Sequence, residues 1–178
     1  MNLFKTRIIA IVLTFFLSFI SHFLYEIFPN QFFLIFFPVN ESIWEHMKML
    51  YTTILLYGIF DYLVLLKYNI KFNNFMLSLI ISSVLSISIY LSIYLPHRNF
   101  INDSMIIILF LLLVVIIIIE VIKYFILKFK RIKYETIFST ILIIIIYIVM
   151  GYLTYHPILN FLFLDPLNNT YGLNYYKI

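Results

Sequence analysis

Apolar stretches of membrane-crossing length, parted by short polar segments, organise this 178-residue chain. A bilayer core of about 30 Å is crossed by a helix of about 20 apolar residues. On that measure the pattern predicts helices near 6–28, 43–66, 74–95, 104–127 and 136–155. Two more apolar stretches are too short to span. Phe32 to Phe37 lies between Pro29 and Pro38, and Ile158 to Leu164 lies between Pro157 and Pro166. Backbone at membrane depth must satisfy its own polar groups, so each reads as a re-entrant or interfacial segment, near 30–40 and 157–166. The apolar run from Ile8 exceeds a signal-peptide core and lacks a small-x-small cleavage site, so it reads as an uncleaved first span. The expected fold is an all-α polytopic membrane helix bundle of about five transmembrane helices. It forms a single integral membrane domain over residues 1–178, multi-pass in the cell membrane with the lipid bilayer as partner.

The polar positions inside these stretches refine that picture. Ser78, Ser82 and Ser86 recur at every fourth position of the third helix, with Ser83, Ser88 and Ser92 beside them. Such a stripe favours close helix packing over the lining of a polar conduit. On the second helix Glu45, Lys48, Thr52, Thr53 and Tyr57 share one broad face, which directs that helix toward protein or a cavity. Asp61 and Glu120, near Lys67 and Lys123 in depth, are expected to form ion pairs that snorkel to one interface.

Charge sets the orientation. Lys5 and Arg7 precede the first helix, Lys67 and Lys71 follow the second, and Lys128, Lys130, Arg131 and Lys133 join the fourth to the fifth. Only Lys48, Arg98 and Lys177 fall on the other side, so the positive-inside rule predicts the N-terminus inside and the C-terminus outside. A mean hydropathy of +1.06 and 64% hydrophobic residues exclude an ordinary soluble domain. No soluble basic face exists for nucleic acid. Without cysteine, thiolate ligands and disulfides are excluded.

That topology brings all four histidines, His22, His46, His97 and His156, to or near the outer face, with Glu26, Glu41, Glu45, Asp103 and Asp165. Ionisable groups beside hydrocarbon need partners, and those available on this face are one another. His22 and Glu26 are one turn apart, which suits a helix-stabilising pair first and a metal-binding or proton-passing pair after it. Ser42 and Glu45 have capping-box spacing, and Trp44 suits the interfacial aromatic belt. Capping leaves Glu41, His46 and Lys48 unexplained. In the tail, Pro157 and Pro166 hold His156 and Asp165 outside helix, and Tyr171-Gly172 reads as a turn. The catalytic candidates are His46, Glu41 and Glu45. The metal-ligand candidates are His22, Glu26, His46, His156 and Asp165, and a divalent ion is the cofactor such donors would take.

Three segments carry a resemblance: His22-Phe23-Leu24-Tyr25-Glu26, Pro38-Val39-Asn40-Glu41-Ser42-Ile43-Trp44-Glu45-His46-Met47-Lys48, and Asp165-Pro166 with Thr170-Tyr171-Gly172. Together they resemble an uncharacterised family of small bacterial and archaeal membrane proteins, a domain of unknown function. The resemblance implies that the three segments belong to one site, and it implies no activity. Three functions stay open: a metal-dependent membrane-embedded enzyme, a small transporter or channel subunit, and a non-catalytic binding or scaffold protein. No HExxH spacing supports the first. No internal repeat supports a self-contained transporter, which leaves an oligomeric pore taking a small molecule or ion at the outer face.

Overall fold

The computed structural model describes the backbone of residues 1–101, 104–173 and 176–177, and the side chains of residues 1–97 and 104–173. Asp103 and the side chains of Arg98 and Lys177 lie outside the described residues. Among the described residues there are six helices: α1 (Leu3–Ile27), α2 (Gln31–Phe36), α3 (Ile43–Lys67), α4 (Phe75–Ile101), α5 (Met105–Lys128) and α6 (Glu135–Tyr155). All but α2 are long and apolar enough to cross a membrane, so the chain is a helical bundle compatible with multi-pass insertion.

Three helix starts are fixed by side chains that take up otherwise unpaired amides. Asn2 accepts from the Lys5 amide at 3.0 Å, Asn30 from Phe33 at 3.1 Å and Ser42 from Glu45 at 3.3 Å. The six-residue α2 cannot span, and it lies against α6 beside α1 and α3. Its terminal carbonyls are capped from α3: Lys48 Nζ donates to Leu34 O at 2.8 Å, and Thr52 Oγ1 donates to Phe36 O at 2.6 Å. The short segment between Pro29 and Pro38 is thus a helix held by its neighbour's polar face. Tyr147 extends the link to α6, its hydroxyl 3.2 Å from Thr52 Oγ1.

The most buried span is α3, with 56% of its apolar window inside the protein against 17% for α6. The polar face read on this helix is enclosed by protein: Glu45, Lys48, Thr52, Thr53 and Tyr57 are all buried. Around it, α1 packs on α3 and α5, and α4 packs on α3, α5 and α6. Ser78, Ser82 and Ser86 are fully buried, in keeping with a packing stripe. Gly58 permits the closest approach, since a Cβ there would lie 2.6 Å from a Leu79 methyl carbon. Leu3, Leu65, Phe75, Leu79 and Leu127 form one apolar cluster. It brings together the start of α1, the end of α3, the start of α4 and the end of α5, which defines a basic end of the bundle. The loop with Asn40 to Ser42 and the tail lie at the opposite, histidine end.

The acidic groups near the basic end depart from expectation. Asp61, Glu120 and Lys123 do not snorkel; they are buried together with Arg7. The Arg7 guanidinium forks onto Asp61, one of its two bonds measuring 2.9 Å, and reaches Glu120 at 3.1 Å. Lys123 Nζ lies 2.8 Å from the same Asp61. Two cations and two acids neutralise one another, so none has to climb to water. Lys67 alone of the expected set stays at the surface, its ammonium 6.0 Å from the Tyr68 ring.

A small antiparallel sheet was not anticipated. Leu164–Asp165 pairs with Thr170–Tyr171, which pairs with Tyr176–Lys177. The turn between the first two strands is built by Asp165, whose carboxylate accepts from Leu167 N at 3.0 Å and Asn168 Nδ2 at 2.9 Å. Asn169 supplies the positive φ of 52° that the reversal needs.

Candidate metal centre

The loop that joins α2 to α3 is pinned from both sides before any ligand is considered. Within it, Ser42 N donates to Asn40 Oδ1 at 2.9 Å, and Asn40 Nδ2 donates to the Gly172 carbonyl at 2.8 Å. Trp44 N donates to Leu162 O at 2.9 Å, and the Trp44 ring stacks on Phe163 with centroids 4.8 Å apart. The half-buried Trp44 ring is thus packed on the tail. Gly172 closes this contact with φ of +55°, and a Cβ there would sit 2.7 Å from the Thr154 carbonyl oxygen.

Glu45 makes only half of the expected capping box. Ser42 caps the Glu45 amide, but the return bond to Ser42 N comes from Asn40. The Glu45 carboxylate is drawn away by Lys48, 2.6 Å from it and wholly buried, and it also accepts from Val39 N and the Thr154 hydroxyl. An unpaired buried ammonium would cost several kcal/mol, more than a cap contributes. Glu45 and Lys48 thus lock α3, α2, α6 and the loop together.

With the loop held, Glu41 projects toward two histidines from different helices. His22 of α1 and His46 of α3 face each other through Nε2 atoms 3.3 Å apart. Glu41 Oε2 lies 3.5 Å from the first and 3.4 Å from the second. His46 Nδ1 is 3.0 Å from the Ser42 carbonyl, which can only accept. Its neutral ring therefore carries the proton on Nδ1 and turns the Nε2 lone pair inward. The proton of His22 Nε2 then binds the three electron-rich atoms together, and a cation could take its place. His22 Nδ1 is buried without a hydrogen-bond partner, so His46 is the better-oriented of the two.

The spacing is informative. A tetrahedral ion with bonds of about 2.0–2.1 Å needs donor atoms about 3.3–3.4 Å apart. The three observed edges, 3.3, 3.4 and 3.5 Å, fall at that separation. The side chains of Glu41, His22 and His46 are 37%, 25% and 29% exposed, so the triangle is reachable from outside.

The remaining candidates sit elsewhere. His22 turns to Glu41 from the loop, while Glu26, one turn on, is exposed. His156 is exposed against the Tyr152 ring, and His97 bonds back to Ile93 O. Asp165 is buried in its own turn. Glu41, a catalytic candidate and one of the outer-face acids expected to converge with the histidines, is the carboxylate between the two rings. The available signal was the spacing of Glu41 and His46, since the residue just ahead of the N-cap and the fourth residue of the helix meet side by side.

The hydrogen bond from His22 and the neighbouring His46 hold the Glu41 carboxyl below the usual carboxylate range, against burial, which pushes it up. A lowered carboxylate stabilises the fold above the unfolded-state value, about 4.3, and that contribution is lost as pH falls through the lower folded value. With chelator present, wild type is expected to melt above Glu41→Gln near neutral pH. The two melting curves should converge in acid; an unchanged gap at every pH would remove this electrostatic account.

No curated protein and no solved structure matches the chain. Its residues 1–173 match a family of unknown function, DUF6512, and the chain belongs to that family.

Proposed function

We propose that this protein is a metal-dependent membrane-embedded enzyme whose centre is His22, Glu41 and His46. The observation that carries the reading is the convergence of two Nε2 atoms and one carboxylate oxygen at tetrahedral edge lengths. Two histidines and one carboxylate leave a fourth position open, which distinguishes catalytic from structural zinc. An ion held there would acidify a bound water toward neutral pH and polarise a carbonyl or phosphoryl oxygen. Hydrolysis of a substrate approaching from the histidine end is the reaction class that follows.

Orientation supports access from outside the cell. Lys48 drops out of the charge count at the histidine end because Glu45 neutralises it within the fold. Lys5, Lys71, Lys128, Lys130, Arg131 and Lys133 stay exposed at the basic end, which by the positive-inside rule supports a cytoplasmic position for that end.

The test is metal content and geometry in purified protein. Wild type is expected to hold about one zinc per chain and, loaded with cobalt, to show the intense visible bands of a tetrahedral site. His46→Ala and Glu41→Gln should lower affinity at least tenfold, with melting measured in chelator to confirm the fold. Metal-loaded wild type should cleave chromogenic phosphate or carboxylic esters, and the variants should not. Wild type that takes up no zinc or cobalt at micromolar concentration would overturn the proposal.

A further inference from the structure

At the basic end, far from the histidines, α3, α4 and α6 enclose a groove of about 810 Å³. Its walls are apolar, among them Leu55, Ile59, Leu63, Leu79 and Ile143, and its mouth carries Asn73, Arg131 and Glu135. A second recess of about 460 Å³ lies in the connection from Arg131 to Ile137 and shares Arg131, Glu135 and Thr136 with the groove. The apolar groove and the polar recess therefore adjoin at these three residues.

The polar groups at that mouth are not equivalent. Asn74 ties the two basic-end loops together, accepting from Ile132 N at 2.8 Å and donating to Lys130 O at 3.1 Å. Glu135 accepts from Leu77 N at 3.0 Å and from the Thr136 hydroxyl at 2.9 Å. Arg131 is exposed and pairs with none of the described residues. Lys128, Lys130 and Lys133 flank it, with Glu135 as the acid in that stretch. The field at the mouth is positive, and the acid present is already engaged.

We propose that groove and recess form a binding site for an anionic phospholipid, with an acyl chain along the groove and the phosphate on Arg131. A guanidinium presents a planar fork that matches phosphate oxygens. Basic pockets between membrane helices at the cytoplasmic side suit anionic head groups, and 810 Å³ falls within the size range of ligand sites. A zwitterionic lipid would bring an ammonium group into the same positive field and lose that advantage. The site is independent of the metal centre and stands whether or not an ion binds at the histidine end.

The experiment is native mass spectrometry of the full chain released from bilayers of equimolar phosphatidylglycerol and phosphatidylcholine. Phosphatidylglycerol adducts are expected to exceed phosphatidylcholine adducts about fivefold, the ratio for one well-placed cation. Arg131→Gln should lower that ratio at least twofold, the flanking lysines keeping part of the field. Ile59→Trp, at an exposed wall position, should reduce adducts of both lipids, with wild-type melting as the control for folding. Equal retention of the two lipids by wild type, or an unchanged ratio in Arg131→Gln, would overturn the proposal. A third arm titrates inorganic phosphate and water-soluble glycerophosphoglycerol. If these displace the lipid at millimolar concentration, the site reads phosphate alone and the lipid assignment fails; no displacement supports it.

Discussion

Asp61→Asn is expected to destabilise the bundle by about 3–5 kcal/mol, the cost of removing one partner from a buried ion pair. Asp61 is the shared acid of its network: the Arg7 fork and Lys123 both close on it, and all three are buried. The asparagine would leave Glu120 as the one remaining acid for two cations. Glu120→Gln should cost less, because Glu120 is bound through a single contact to Arg7. Adding Lys123→Met to Asp61→Asn should recover much of the loss, since the second change removes the stranded charge. Unfolding in mixed micelles, measured for each single and for the double variant, provides the check. A loss near 0.6 kcal/mol for Asp61→Asn, the average of interhelical hydrogen bonds in a membrane, would mean that the network is not charged.

The second large effect belongs to Lys48→Met, with an expected loss again of about 3–5 kcal/mol. Lys48 is fully buried and satisfies three groups at once: Glu45, the Leu34 carbonyl and the Thr154 hydroxyl. Methionine fills similar volume and makes none of these bonds, so Glu45 would be left as an uncompensated buried acid. Glu45→Gln together with Lys48→Met should therefore be more stable than Lys48→Met alone. Site geometry is expected to suffer too. Glu45 holds the Val39 amide at 3.2 Å, and the loop from Val39 carries Glu41. Metal affinity in Lys48→Met should fall even at temperatures where the bundle stays folded. Unaltered melting in that variant would show that water reaches the lysine.

The spans were legible because length and apolar content are properties of consecutive residues. The boundary of α3 was legible for the same reason, since Ser42 caps locally. Partnerships between helices were not. Arg7 counted as a surface cation ahead of the first span, while its acids lie 54 and 113 positions away. Depth alone held a clue: Arg7, Asp61, Glu120 and Lys123 all lie within about three turns of the same end of the bundle. Which helices adjoin cannot be counted from one chain. The histidine end shows the same division. His22 and His46 were recognisable as outer-face groups, but the third member of the triangle depended on a loop whose course is set by Asn40, Gly172 and Trp44. Asp165 and His156 shared the residue chemistry of ligands and were diverted by local turn geometry. A carboxylate one residue ahead of a proline satisfies its own reversal before it can reach across the bundle.

The bond from Asn40 to Gly172 spans 132 positions. During synthesis α1 and α3 emerge first, and at about 5–20 residues per second the tail follows roughly 7–26 s later. Throughout that interval the loop carrying Glu41 has its local bonds, Val39 N to Glu45 and Ser42 N to Asn40, and lacks the contacts of Leu162 and Gly172. The second side of that loop is thus pinned only after the helices that carry the two histidines have been made. A chain stopped before residue 160 would lack Leu162 and Gly172, so its Glu41 loop would keep only the bonds to earlier residues.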